Sequence, residues 1–249
     1  MIETTDQLGQ ELELPQIPRR IVSLVPSITE FLVDLGLRDR LVGCTKFCVH
    51  PEGLRHELQV IGGTKDPKPE LIRALEPDLV IANQEENRRE DVEAIREFAP
   101  VWVSRVRTLI EAEELNDRLG KLFQRQSLAM VINCRNADRI STVATDRGTA
   151  LYLIWNDPYM SVGGDTFIHD VLTQCGYQNL LADRTRYPEL SEEELQVLNP
   201  AHLLLSSEPF PFRAAHLERM RELCPGAEVR LVNGEFFSWY GSRIGKSRP

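Results

Sequence analysis

Short runs of consecutive apolar residues recur along this chain, with helix-like segments between them. They lie at residues 21–25, 41–44, 79–82, 101–103, 150–155, 203–206 and 229–232. A strand that is apolar at every position, rather than at every second one, is buried on both faces. Helices between such strands imply parallel sheets assembled from βαβ units. The rhythm breaks in the middle. Thr108 and Glu111 have capping-box spacing, and Leu115, Leu119 and Leu122 behind them share one helical face. After a break near residues 120–126, a second helical pattern runs through Leu128, Ile132, Ile140 and Val143. No strand is expected for about 35 residues, until residue 150. This stretch reads as the connection between two lobes.

The lobes echo one another. ELIRALEP at 70–77 leads into DLVIA, and EELQVLNP at 193–200 leads into AHLLL. Aligning Pro77 with Pro200 pairs Glu70 with Glu193, Ile72 with Leu195 and Leu75 with Leu198. Each proline stops a helix and turns the chain toward the next strand. A second echo sets TEFLVDLG at 29–36 against DTFIHDVL at 165–172. Two echoes in the same order in both halves indicate an internal repeat.

Composition narrows the function classes. With 42% apolar residues the chain can bury a sizeable core. Its net charge of -9 repels phosphate backbones, so nucleic acid is not expected as a partner. The opening MIETTDQLGQELELPQ is acidic and lacks an unbroken apolar stretch, which points to the cytoplasm unless a leader has been removed. Five cysteines at no framework spacing suit a reducing compartment.

Few residues suggest chemistry. There is no Gly-x-Ser-x-Gly elbow, no phosphate loop and no His-Glu-x-x-His motif, so no catalytic residue is assigned and an enzyme is not expected. Cys44, Cys48, His50 and His56 match no standard zinc spacing and read as packing residues, so no metal site is assigned. His169 and Asp170 are adjacent on a helix and do not face one another. The aromatics are more informative. Trp155 ends an apolar strand, with Tyr159 close behind; Tyr187 lies in a loop; Phe236 and Trp239 follow the last strand. In open α/β sheets ligands bind outside the carboxyl ends of the strands, and aromatics with polar tips suit a site that is part apolar and part wet. Glu70 and Glu193 each stand near a helix start, where the dipole alone stabilises a carboxylate by about 0.3–1 kcal/mol. Their matched placement, one per lobe, suggests contact with a symmetric partner.

At these residues the chain resembles the helical-backbone (class III) substrate-binding proteins of ABC importers, which include vitamin B12 and ferric-siderophore receptors. The resemblance is carried by RIVSLVPSITE at 20–30, KPE at 68–70, PDLVI at 77–81, GGDTF at 163–167 and YPELS at 187–191. It implies two Rossmann-like lobes joined by a long backbone helix, with the ligand cleft between them. The expected divisions are an amino-terminal lobe at 1–124, the helix at 125–145, and a carboxyl-terminal lobe at 146–249 that stops short of a usual last helix. The implied function is capture of a cobalamin-like corrinoid or a ferric chelate by a monomer, for an ABC permease dimer and without a resident cofactor. The alternative is a cytoplasmic protein that binds a corrinoid, haem or metal chelate without importing it. The family's location is periplasmic. The ligand-binding set is Lys46, Phe47, Trp155, Tyr159, Tyr187, Phe236 and Trp239. Tyr187 and Phe236 stand where the B12 receptors carry cleft tryptophans, whereas the third such position falls near Thr64 and Lys65, with no aromatic. Glu70 matches one permease-docking glutamate and Glu193 best matches the other, with Glu189 and Glu192 close enough to compete.

Overall fold

The computed structural model describes all 249 residues and divides into two compact α/β units. Unit 1 comprises Met1–Val106, Ile110–Cys134 and Tyr240–Ser242; unit 2 comprises Arg107–Leu109, Arg135–Trp239 and Arg243–Pro249.

Unit 1 opens with the hairpin β1 (Ile2–Thr5) and β2 (Glu11–Leu14). The apolar runs follow as β3 (Ile21–Ser23), α1 (Pro26–Asp34), β4 (Leu41–Cys44), α2 (Leu54–Glu57), β5 (Gln59–Val60), α3 (Pro69–Ala74), β6 (Leu79–Asn83), α4 (Arg89–Arg96) and β7 (Val101–Ser104). The sheet is parallel, in the order β5-β4-β3-β6-β7. Every residue of β6 is buried, as expected for a strand covered on both faces. One of those faces packs Val22, Leu24, Ile72, Val80, Val92, Ile95, Val101 and Val103 into a continuous core. The hairpin has a job that periodicity does not reveal. Gln7 N–H donates to the Val103 carbonyl, and the Asp6 carboxylate accepts from Val103 N–H. These bonds cover the open edge of β7, which would otherwise offer unpaired backbone to another chain.

Helix α5 (Leu109–Leu122) and helix α6 (Gln126–Val143) follow. The connecting helix expected at 125–145 is thus a helix, but not a separate body: it passes from unit 1 to unit 2 at Cys134. The chain also returns to unit 1 at Tyr240–Ser242, which a simple two-part division misses. Side chains cause this return. Tyr240 donates to Glu86, the Gly241 carbonyl accepts from Asn116, and Ser242 donates to Asp34.

Unit 2 contains β8 (Gly148–Leu153), β9 (Trp155–Asn156), β10 (Tyr159–Met160), α7 (Phe167–Gln174), β11 (Tyr177–Asn179), β12 (Glu189–Leu190), α8 (Glu192–Leu198), β13 (His202–Ser206), α9 (Ala214–Leu223), β14 (Glu228–Val232) and α10 (Gly234–Ser238). Its main sheet is parallel, in the order β11-β8-β13-β14. That is the order of β4-β3-β6-β7, so the two units share a topology. The run at 150–155 is not one strand. β8 ends at Leu153, and Trp155 opens a hairpin that pairs β9 with β10 and β10 with β12.

The first sequence echo holds in atomic detail. α3 leads to β6 and α8 to β13 through equivalent turns, with Glu76 and Asn199 before the prolines at φ 45° and 40°. The second echo is off by one helical turn. α1 closes with Leu35 N–H on the Phe31 carbonyl and Gly36 N–H on that of Val33; α7 closes with Cys175 N–H on the Val171 carbonyl and Gly176 N–H on that of Thr173. The helix ends therefore equate Phe31 with Val171, not with Phe167. An amphipathic helix presents the same face every four residues, so a slip of one turn preserves the apolar match.

Candidate functional site

In unit 1, Lys46 and Phe47 lie just past the carboxyl end of β4. Both are exposed, with the Lys46 ammonium 5.1 Å from the centre of the Phe47 ring. Next to them Cys48 is buried, 3.2 Å from the Thr29 hydroxyl and 3.4 Å from that of Thr45. The Cys44 thiol bonds to Cys48, which raises Cys44 and lowers Cys48 to about 7. All five cysteines are free thiols, and no group of three or more His, Cys, Asp or Glu side chains is placed to hold a metal ion. Just past β6, the Glu85 carbonyl accepts from Lys65. Beside it the Glu86 carboxyl is pushed up to about 7, chiefly by burial, although the Tyr240 hydroxyl donates to it at 2.9 Å.

In unit 2 the predicted aromatics separate by function. Trp155 is 40% exposed; its N–H donates to the Asp157 carbonyl, and its ring meets Phe210 edge-on at 5.6 Å. Tyr159 does not lie beside it. In the hairpin Trp155 stands opposite Met160 and Tyr159 opposite Asn156 and Leu190, so Trp155 and Tyr159 point to opposite faces. Tyr159 packs on the core, where burial raises its phenol and Glu192 and Arg219 lie nearby. Phe236 is also a correction. It is fully buried, 5.0 Å from the Phe237 ring, which in turn lies 5.2 Å from Tyr152. Both residues are held by apolar burial, which sequence spacing alone does not distinguish from a ligand contact. Tyr187 is half-buried beneath the Arg186 guanidinium, 5.4 Å above its ring.

Trp239, also expected to face a ligand, is buried at 9% exposure, and it leads to a residue that the sequence reading missed. Its indole N–H donates to the Glu208 carboxylate at 2.8 Å, and Ser238 donates to the same oxygen at 2.6 Å. Glu208 follows β13 in the segment EPFPF at 208–212, which also supplies Phe210. A charged and aromatic loop directly after a buried strand was the signal available for it.

Glu70 is exposed in the first turn of α3. In α8 the three first-turn glutamates have different partners. Glu192 forms two bonds to Arg219, at 2.7 and 2.8 Å. Glu194 closes a capping box with Ser191 and pairs with Arg184 at 3.0 Å. Glu193 remains exposed, its carboxyl held below the usual range by its own backbone N–H and by Ser191.

Residues 21–222 match the family described as periplasmic binding protein. The chain belongs to this family. Among its relatives is the vitamin B12-binding protein of Vibrio campbellii, 27% identical over 203 residues, with 76% of this chain and 70% of that protein aligned. Another is an uncharacterized ABC transporter substrate-binding lipoprotein of Bacillus subtilis, 26% identical over 210 residues, covering 78% of this chain and 66% of that one. Among solved structures, the periplasmic vitamin B12 binding protein of Vibrio cholerae superposes with a TM-score of 0.78 at 22% identity, covering 93% of this chain and 94% of that one. The periplasmic heme-binding protein of Roseiflexus sp. RS-1 gives the same TM-score at 21% identity, with 92% and 94% covered. These likenesses establish the fold shared within the family.

Proposed function

We propose that this chain is the solute-binding component of an ABC importer and captures a corrinoid or a metal chelate without altering it. The observation that carries this reading is the strand-end surface of unit 2, where exposed Trp155 is backed by Phe210, with the buried Trp239 fixed by Glu208 behind it. Rings held in place by such contacts lose little freedom on binding a flat, largely apolar ligand. The named ligands of the relatives, vitamin B12 and haem, each contain a macrocycle that offers such a face. Tyr187 completes the proposed contacts of unit 2, with Tyr159 and Phe236 supporting them from the core; the exposed pair Lys46 and Phe47 is the proposed contact of unit 1.

Docking falls to Glu70 and Glu193. They precede equivalent strands in units of equal topology; of the two competitors Glu192 is tied to Arg219, and Glu189 lies exposed in β12, outside the helix turn that matches Glu70. A partner with one basic pocket per subunit would meet one carboxylate from each unit.

The test is titration of cyanocobalamin, haemin and a ferric siderophore, followed by tryptophan fluorescence, with recovery of the ligand afterwards. Saturable binding with the ligand recovered intact is expected. Failure of every ligand to bind would remove the proposed class, and conversion of a ligand would make the protein an enzyme.

A further inference from the structure

At the amino end of the unit 2 sheet, two guanidinium groups close on a single tyrosine. Tyr177, His202 and Glu228 are the first residues of β11, β13 and β14. Strand β13 alone puts roughly 13 Å between this end and the carboxyl ends that carry the aromatic surface. The Arg147 guanidinium lies over the Tyr177 ring, 5.3 Å from its centre, and Arg230 donates to the Tyr177 hydroxyl. Arg147 otherwise donates to the Cys175 and Val143 carbonyls, both at 3.2 Å, and pairs with no carboxylate. The neighbouring Asp146 carboxylate accepts from the Gly148 N–H instead. Arg230 has one acidic neighbour, Glu228, 3.4 Å from its buried Nε and too far for a well-formed hydrogen bond. Glu228 is shared, since it also lies 3.1 Å from Nδ1 of His202, whose Nε2–H donates to the Arg147 carbonyl at 2.7 Å. Two fixed cations and one carboxylate leave an excess of positive charge, in a chain whose net charge is -9. Both guanidiniums and Tyr177 line one cavity of about 130 Å³. Cys175, also in its wall, adds no charge, because burial pushes the thiol up to about 11 although Arg147 draws it down. The rest of the wall is Val143, Leu231, Val232 and Pro249.

Guanidinium groups present N–H donors in a planar fork that matches the oxygens of an oxyanion, and an anion between two of them relieves their mutual repulsion. We propose that this cavity is a second binding site of unit 2, which holds a small tetrahedral oxyanion such as inorganic phosphate between Arg147 and Arg230. A cavity of this size takes a small ion and no macrocycle, so the site differs from the solute surface in both place and ligand. Tyr177 orders the two guanidiniums before the ion arrives, one by its ring and one by its hydroxyl, so little freedom is lost on binding.

The experiment is calorimetric titration of the full chain with sodium phosphate, at constant ionic strength set with sodium chloride. Saturable binding of one ion per chain is expected, with a melting temperature that rises as the site fills. Arg147→Gln and Arg230→Gln should each weaken binding by about tenfold or more. Tyr177→Phe keeps the ring but frees Arg230, and should weaken it by about threefold. Should Arg147→Gln fail to fold, Arg230→Gln and Tyr177→Phe carry the test. Phenyl phosphate bears the same group on a ring too large for the cavity, and should bind about tenfold or more weakly than phosphate. Absence of binding, binding that never saturates, or equal affinity in the wild type and Arg230→Gln would mean an adventitious ion only and overturn the inference. Phenyl phosphate bound as tightly as phosphate would move the site to the open surface and overturn it as well. The proposed solute binding is tested with other probes on other residues, so its failure and this one are read separately.

Discussion

Glu86 shows how one half-buried carboxyl makes folding depend on pH. Burial pushes it up to about 7, with Tyr240, Glu85, Lys65 and Cys48 as its charged or polar neighbours. A carboxyl whose folded value exceeds its unfolded one binds protons more tightly when folded. Its contribution is therefore complete at acid pH and is lost as pH rises from the unfolded carboxyl value to about 7. Glu86→Gln should remove about 1–3 kcal/mol of that loss, so urea midpoints measured at pH 5 and pH 8 should converge. The aromatics give a second prediction. Phe236→Ala should cost about 3–5 kcal/mol of stability because the ring is fully buried, whereas Trp155→Ala, at 40% exposure, should leave stability nearly unchanged. Trp155→Ala should instead weaken ligand binding by about 0.5–1.5 kcal/mol, read by titration. A Trp155→Ala protein that binds as the wild type does would remove this ring from the site.

Equivalent helix ends make equivalent glycines unequal. Gly36 and Gly176 close α1 and α7 at φ 74° and 85°, a conformation costly for any side chain. At Gly36 a Cβ would meet nothing within 4 Å; at Gly176 it would collide with the Thr145 carbonyl. Gly36→Ala should therefore cost about 1–2 kcal/mol, the conformational penalty alone. Gly176→Ala should cost several kcal/mol, since the backbone at Thr145 must also move. Thermal melts of the two variants check this, and equal losses would show that the turn at Thr145 yields freely.

At the scale of the whole molecule, binding and docking should separate. Glu70→Ala and Glu193→Ala should leave ligand affinity unchanged, because both carboxylates are exposed in the first turns of α3 and α8 and belong to no ring contact. Each should slow association with a permease and flatten the dependence of that rate on salt, as removal of an exposed charge does. Association kinetics with a reconstituted permease at two salt concentrations would read this. Loss of ligand binding with docking intact would reverse the assignment.

Continuous apolar runs and the proline echo were enough to establish parallel sheets, two related units and the equivalence of Glu70 with Glu193. Those properties follow from local periodicity and turn chemistry, which are written in neighbouring residues. Tertiary structure decided the rest. The short strands β9, β10 and β12 have two residues each and exist only because they pair, so no period could announce them. Pairing then sent Trp155 outward and Tyr159 inward. Phe236 and Trp239 look alike in sequence, and folding buried both, leaving the first among other rings and making the second the donor that fixes Glu208. Residues far apart in the chain acquire their roles from the neighbours that folding brings to them, and Glu208, between Ser206 and Trp239, acquired its own in that way.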